Sequence, residues 1–139
     1  MCPRDARGMV LLVDDEPLLL RALERILRPE GYRVATASCP EEMRPALDDP
    51  ALDVILLDLF LGKANGLDVL DQIKKTDPQI KVILLTGRGP AYENDGSIPL
   101  GAFDCLIKPV NIGDLIQKMR EALNAPELGT SAGEGESNG

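Results

Sequence analysis

Leu52-Asp53-Val54-Ile55-Leu56-Leu57-Asp58 is an aliphatic run that stops on a carboxylate. An apolar run this short, closed by polar residues at both ends, reads as a strand buried on both faces. Three other runs share the design. Val10-Leu11-Leu12-Val13 stops on Asp14-Asp15, Val82-Ile83-Leu84-Leu85 stops on Thr86, and Phe103 to Ile107 stops on Lys108-Pro109. In a parallel α/β sheet the C-terminal strand ends lie along one edge, and ligands bind there. Three carboxylates, a hydroxyl and an ammonium would therefore meet at one place. That set suits a divalent cation and a phosphoryl group.

Working outward, the segments between these runs read as helices. Glu16-Pro17 opens the first, with proline at the first helical position and the acidic residue as cap. Leu19, Ala22, Leu23, Ile26 and Leu27 give it an apolar face, and Gly31 lies just past its end. Tyr32 to Thr36 is a short strand. The next helix is weak, because Pro45 stands among Glu42, Met43, Ala46 and Leu47. A mid-helix proline costs about 3 kcal/mol. Two readings stay open: Pro40 opens a kinked helix, or the helix starts late with Pro45 in its first turn.

Gly66 to Lys75 follows as a helix, with Leu67, Leu70 and Ile73 inward and Pro78 beyond its end. Ile80 to Leu85 is the next strand. The stretch from Gly87 to Gly101 should cross back over the sheet, yet it holds Gly89, Pro90, Gly96 and Pro99. A weak or irregular fourth helix is expected there, mobile and open to ordering. A last helix from Ile112 to Asn124 turns Ile112, Leu115, Ile116, Met119 and Leu123 to one side. Residues 1–8 read as a loose lead-in, 9–124 as the folded domain, and 125–139 as a disordered tail or linker. Strands alternating with helices through short connections imply one sheet with helices on both faces.

Composition narrows the function. Aromatics are 3% against 44% apolar residues, so the core must be aliphatic. The net charge of −8 makes direct binding to a nucleic-acid backbone a poor expectation. Cys2, Cys39 and Cys105 form neither a disulfide framework nor a zinc pattern. No apolar run approaches the roughly 20 residues of a membrane span, and the N-terminus lacks a signal-peptide core. A cytoplasmic location without membrane insertion is expected. Histidine is absent, which removes Ser-His-Asp and Cys-His catalysis. There is no GxxxxGK[ST] loop, and Asp14-Asp15-Glu16 stands where a dinucleotide fingerprint would need glycines.

The paired Asp14-Asp15 and Asp58 repel one another, and that arrangement asks for cations. Mg²⁺ prefers oxygen ligands and is commonly held by one or two carboxylates plus a phosphate. Lys108 supplies a compact point charge for a phosphoryl oxygen, and the proline after it admits a cis bond. Thr86 offers a hydroxyl at the same edge. Each residue alone is an ordinary turn or strand-end residue. Five polar positions at one edge are not an ordinary set.

These residues resemble the receiver domain of two-component response regulators. The likeness runs from about Val10 to Leu123. It is carried by Leu-Leu-Val-Asp-Asp-Glu-Pro (11–17), by Leu-Leu-Asp-Leu with Gly66 eight residues after Asp58, by Leu-Leu-Thr-Gly (84–87), and by Gly-Ala-Phe-Asp-Cys-Leu-Ile-Lys-Pro (101–109). The resemblance implies a flavodoxin-like, doubly wound five-stranded parallel sheet of order 2-1-3-4-5 with five helices. It implies that Asp58 accepts a phosphoryl group from a phosphohistidine on a sensor histidine kinase or a histidine phosphotransfer protein. Asp15 and Asp58 would ligate Mg²⁺ (or Mn²⁺), helped by the backbone carbonyl of Phe60, with Asp14 acting through a metal-bound water. Thr86 and Lys108 would bind phosphoryl oxygens, and Thr86 would move on phosphorylation. The domain would be a signalling module that assists its own phosphoryl transfer, not an enzyme for free substrates. Its output partner and oligomeric state stay unnamed.

Three positions depart from the family pattern. Cys105 stands where an aromatic residue is usual, position 62 is glycine where proline is frequent, and the fourth crossover is rich in glycine and proline. The usual aromatic reorientation cannot run through Cys105. Two rival readings stay open: a pseudo-receiver that only binds partners, and a small phosphohydrolase or phosphotransferase.

Overall fold

The computed structural model describes residues 8–61, 64–87 and 101–124. Strand β1 (Gly8–Val13) is followed by α1 (Pro17–Leu27) and β2 (Tyr32–Ala37). A 3₁₀ turn (Pro40–Met43) runs into α2 (Arg44–Leu47), and β3 (Leu52–Asp58) comes next. A two-residue hairpin of β4 (Phe60–Leu61) and β5 (Ala64–Asn65) leads into α3 (Gly66–Thr76). Strand β6 (Lys81–Thr86), strand β7 (Asp104–Ile107) and α4 (Ile112–Asn124) complete the described chain.

The main sheet has the order β2-β1-β3-β6-β7, and every pair in it is parallel. With the hairpin set apart, this is the expected order 2-1-3-4-5. Successive residues of each central strand point to opposite faces. Leu11, Val13, Ile55, Leu57, Val82 and Leu84 pack with residues of α2 and α3. Val10, Leu12, Val54, Leu56, Ile83 and Leu85 pack with residues of α1 and α4. Both faces are covered, which is why the strands are continuous aliphatic runs and not alternating ones.

The helix faces differ in part from the expected ones. In α1 the buried residues are Leu20, Leu23 and Leu27, whereas Ala22 faces solvent. Leu19 and Ile26 only flank the contact. In α3, Leu70 and Ile73 are buried, but Leu67 is exposed. In α4, Leu115, Met119 and Ala122 are buried and Ile112 is exposed.

Each of the two readings of the proline-rich segment holds in part. Pro40 opens a 3₁₀ turn, and Pro45 sits in the first turn of a four-residue α2. The strand starts sit close to expectation, except that Gly8 already pairs with Tyr32 and so belongs to β1. Asp53 interrupts the β1–β3 register between Met9 and Val10, and its Oδ2 accepts the Met9 N–H at 2.9 Å. The expectations for the fourth helix, for the first seven residues and for the tail fall outside the described residues. No helix among the described residues is long and apolar enough to cross a membrane.

Candidate functional site

Register builds the site. Val13 pairs with Leu57, so the residues that follow them, Asp14 and Asp58, arrive side by side. Asp58 pairs with Leu85 and Thr86 with Ile107, so Thr86 and Lys108 each stand one step further along the same edge. Backbone bonds hold these ends. The Asp14 N–H donates to the Ala37 carbonyl at 3.1 Å, and the Lys108 N–H donates to the Thr86 carbonyl at 2.7 Å. The Lys108-Pro109 peptide is cis.

Asp14 is 1% exposed and Asp58 3% exposed, while Asp15 faces solvent. One carboxylate oxygen from each of the three lies within 4.8 Å of the others. Lys108 Nζ donates to Asp14 Oδ2 at 2.8 Å and to Asp58 Oδ2 at 3.2 Å. The other oxygen of each buried aspartate is also occupied: Asp14 Oδ1 accepts the Glu16 N–H at 2.9 Å, and Asp58 Oδ1 accepts the Phe60 N–H at 3.1 Å. Thr86 is fully buried at the end of β6. Cys105, three residues before Lys108, is half-buried against the core under α2 and α3.

Burial pushes the Asp58 carboxyl above the usual aspartate range. The Asp14 charge adds to this, and the Phe60 N–H and the Lys108 ammonium oppose it without prevailing. Burial also pulls on Lys108, downward, but the hydrogen bonds and charges of Asp14 and Asp58 outweigh it and hold its pKa above the ordinary lysine range. The ammonium thus stays charged, and the aspartates exceed it in number.

The structure brings together Asp14, Asp15, Asp58 and Lys108, places Thr86 at the same strand ends, and ties Phe60 to them through its backbone. Two further residues contribute in ways that sequence reasoning did not read. Glu16 holds the N-cap position of α1, but its side chain makes no capping bond. Its Oε1 lies 3.6 Å from Lys108 Nζ instead. The signal was present in the unbroken acidic run Asp14-Asp15-Glu16, in which Glu16 reads as the helix cap. The second is Gly66. A Cβ there would lie 2.5 Å from Leu59 Cα and 2.7 Å from the Asp58 carbonyl oxygen. The start of α3 therefore presses directly on the backbone that carries Asp58, and the Gly66 N–H donates to the Leu59 carbonyl at 2.9 Å. Only glycine fits that approach.

Four carboxylates around one ammonium leave the edge with excess negative charge. Such a place suits a hard cation with oxygen ligands.

Residues 10–120 match the family described as response regulator receiver domain. Alginate biosynthesis transcriptional regulatory protein AlgB of Pseudomonas aeruginosa is 39% identical over 124 residues, which are 89% of this chain and 28% of AlgB. Transcriptional regulatory protein CpxR of Escherichia coli is 39% identical over 114 residues, 82% of this chain and 48% of CpxR. The chain thus spans less than half the length of either relative. Among solved structures, response regulator protein TrrA of Thermotoga maritima, in complex with Mg²⁺-BeF, superposes with a TM-score of 0.72 at 31% identity, covering 83% of this chain and 98% of that one.

Proposed function

Because the chain belongs to the response regulator receiver domain family of two-component systems, we propose that Asp58 accepts a phosphoryl group from a phosphohistidine and that the acyl phosphate switches partner binding. The donor is a sensor histidine kinase or a histidine phosphotransfer protein. The observation that carries the reading is Lys108 Nζ, which joins the two buried carboxylates Asp14 and Asp58 at 2.8 and 3.2 Å. A charge clamp on a carboxylate at the C-terminal end of a central strand is what a phosphoryl acceptor needs.

Three carboxylate oxygens within 4.8 Å, in excess over the one ammonium, fit Mg²⁺ or Mn²⁺. Asp14, Asp15 and Asp58 would hold the ion, with the Phe60 carbonyl as a further oxygen; TrrA, the solved relative in complex with Mg²⁺-BeF, supports this assignment. When bound, the ion supplies positive charge that favours ionised Asp58 and neutralises the phosphoryl oxygens.

The work of the chain's own residues is positioning and charge stabilisation. An Asp58 oxygen forms the new P–O bond as the P–N bond of the donor breaks, and the electron pair stays on the imidazole. Lys108 exchanges its contact with Asp58 Oδ2 for a phosphoryl oxygen. Thr86 donates its hydroxyl to another. Control of transcription, the role named for AlgB and CpxR, is the output class we propose for the switch.

Incubation with acetyl phosphate and Mg²⁺, followed by intact-mass measurement, tests the reading. Stoichiometric labelling is expected for the parent and none for Asp58→Asn. An unlabelled parent would leave a module that only binds partners, and full labelling of the variant would place the acceptor at a residue other than Asp58.

A further inference from the structure

Glu16 sits where a capping residue belongs and does not cap. Its backbone is committed on both sides: the N–H goes to Asp14 Oδ1 and the carbonyl accepts the Leu20 N–H at 3.1 Å. Its carboxylate has no bond to the helix. It turns to Lys108, with Oε1 3.6 Å from Nζ. Lys108 thus has three carboxylate partners, and they differ in exposure. The side chains of Asp14 and Asp58 are 2% and 5% exposed, whereas that of Glu16 is 64% exposed. Glu16 is the member of the set that stands in solvent.

We propose that Glu16 is a specificity-determining residue that disfavours small, free phosphodonors. The inference rests on the reading of Asp58 as acceptor. The ammonium that must receive the phosphoryl oxygens is shared with a solvent-facing negative charge. A small dianion approaching from solvent meets that charge with no docking contacts outside the site to offset it. A phosphohistidine on a protein surface brings docking contacts of its own, so its transfer is less affected. The effect is electrostatic and exposed, so salt screens it.

Two small donors of different charge isolate the effect. With acetyl phosphate, a dianion, Asp58 forms a P–O bond while the P–O bond to the acetyl group breaks and acetate leaves with the electron pair. With phosphoramidate, a monoanion whose nitrogen is already protonated, the P–N bond breaks and ammonia leaves. Initial labelling rates are compared at saturating Mg²⁺ for the parent, Glu16→Gln, Glu16→Asp and Glu16→Lys. Glu16→Gln is expected to speed labelling by acetyl phosphate on the order of threefold to tenfold at low salt. The gain should be smaller with phosphoramidate and should shrink with added salt. Glu16→Lys should exceed Glu16→Gln, and Glu16→Asp should stay near the parent.

A merely structural role would shift the melting temperature and change both donors alike. Equal effects on the two donors, or no effect of Glu16→Gln on either, would overturn the proposal while leaving Asp58 as acceptor. A parent that neither donor labels would overturn both.

Discussion

Lys108 lies 94 residues from Asp14 and 50 from Asp58, yet its ammonium is the cation on which both buried carboxylates depend. The balance it strikes is incomplete, since burial still holds the Asp58 carboxyl above its ordinary range and the Asp14 charge adds to that. The folded protein therefore holds the Asp58 proton more tightly than the unfolded chain does. Stability from this source is complete below the ordinary aspartate range and fades as the pH rises through the raised folded value. Without metal, the parent should gain stability over Asp58→Asn as the pH falls through that window. Urea titrations of the two proteins at a series of pH values read the difference; a constant difference would contradict the shift. For Lys108 the raised pKa has the matching sense. Its contribution is present below the ordinary lysine range and is lost as the pH climbs through the folded value.

Helix α1 shows how an element can be recognised from its sequence while its orientation is not. Four consecutive apolar residues, Pro17 to Leu20, open it. Periodicity admits several faces through such a run. The observed face takes Leu20, Leu23 and Leu27, and it leaves Leu18 79% exposed. Leu20→Ala should therefore cost about 2–4 kcal/mol, and Leu18→Ala no more than about 0.5 kcal/mol. Chemical denaturation checks both, and similar losses would place the face elsewhere. Helix α3 is held by different means. Asn65 caps it by accepting the Leu67 N–H at 2.8 Å, and Gly66 lets it rest on the Leu59 backbone. The obstacle to a side chain at position 66 is main chain, which cannot swing aside. Gly66→Ala should cost about 1–3 kcal/mol and should also slow acetyl phosphate labelling, because Asp58 and Leu59 must shift together. A variant of lower stability with the parent's labelling rate would separate the two effects and refute the coupling.

At the level of the whole domain, five strand ends converge on one acidic edge, and a bound cation should act on the entire fold. Ligand binding to the folded state alone adds about 2.7 kcal/mol at a hundredfold excess over Kd. The melting temperature should thus rise by several degrees with saturating Mg²⁺, and Asp15→Asn should lose most of that rise. Equal Mg²⁺-induced shifts in the two proteins would exclude Asp15 as a ligand. What could be read directly from the chain is what depends on neighbours in sequence. Each aliphatic run is short enough to be a strand and ends on its own polar residue, so strand identity, a single sheet with helices on both faces and the meeting of Asp14, Asp15, Asp58, Thr86 and Lys108 at one edge were all available, while the strand order and the roles expected of those residues came with the family resemblance. Helix phase was not, because the buried face depends on the angle at which each helix meets the sheet. The use of Glu16 was not, because capping and pairing with Lys108 are both open to it locally, and the ammonium that draws it comes from the far end of the domain. Nor was the need for glycine at position 66, since the atoms that exclude a side chain there belong to a loop that reaches it only when β3 and α3 are packed together.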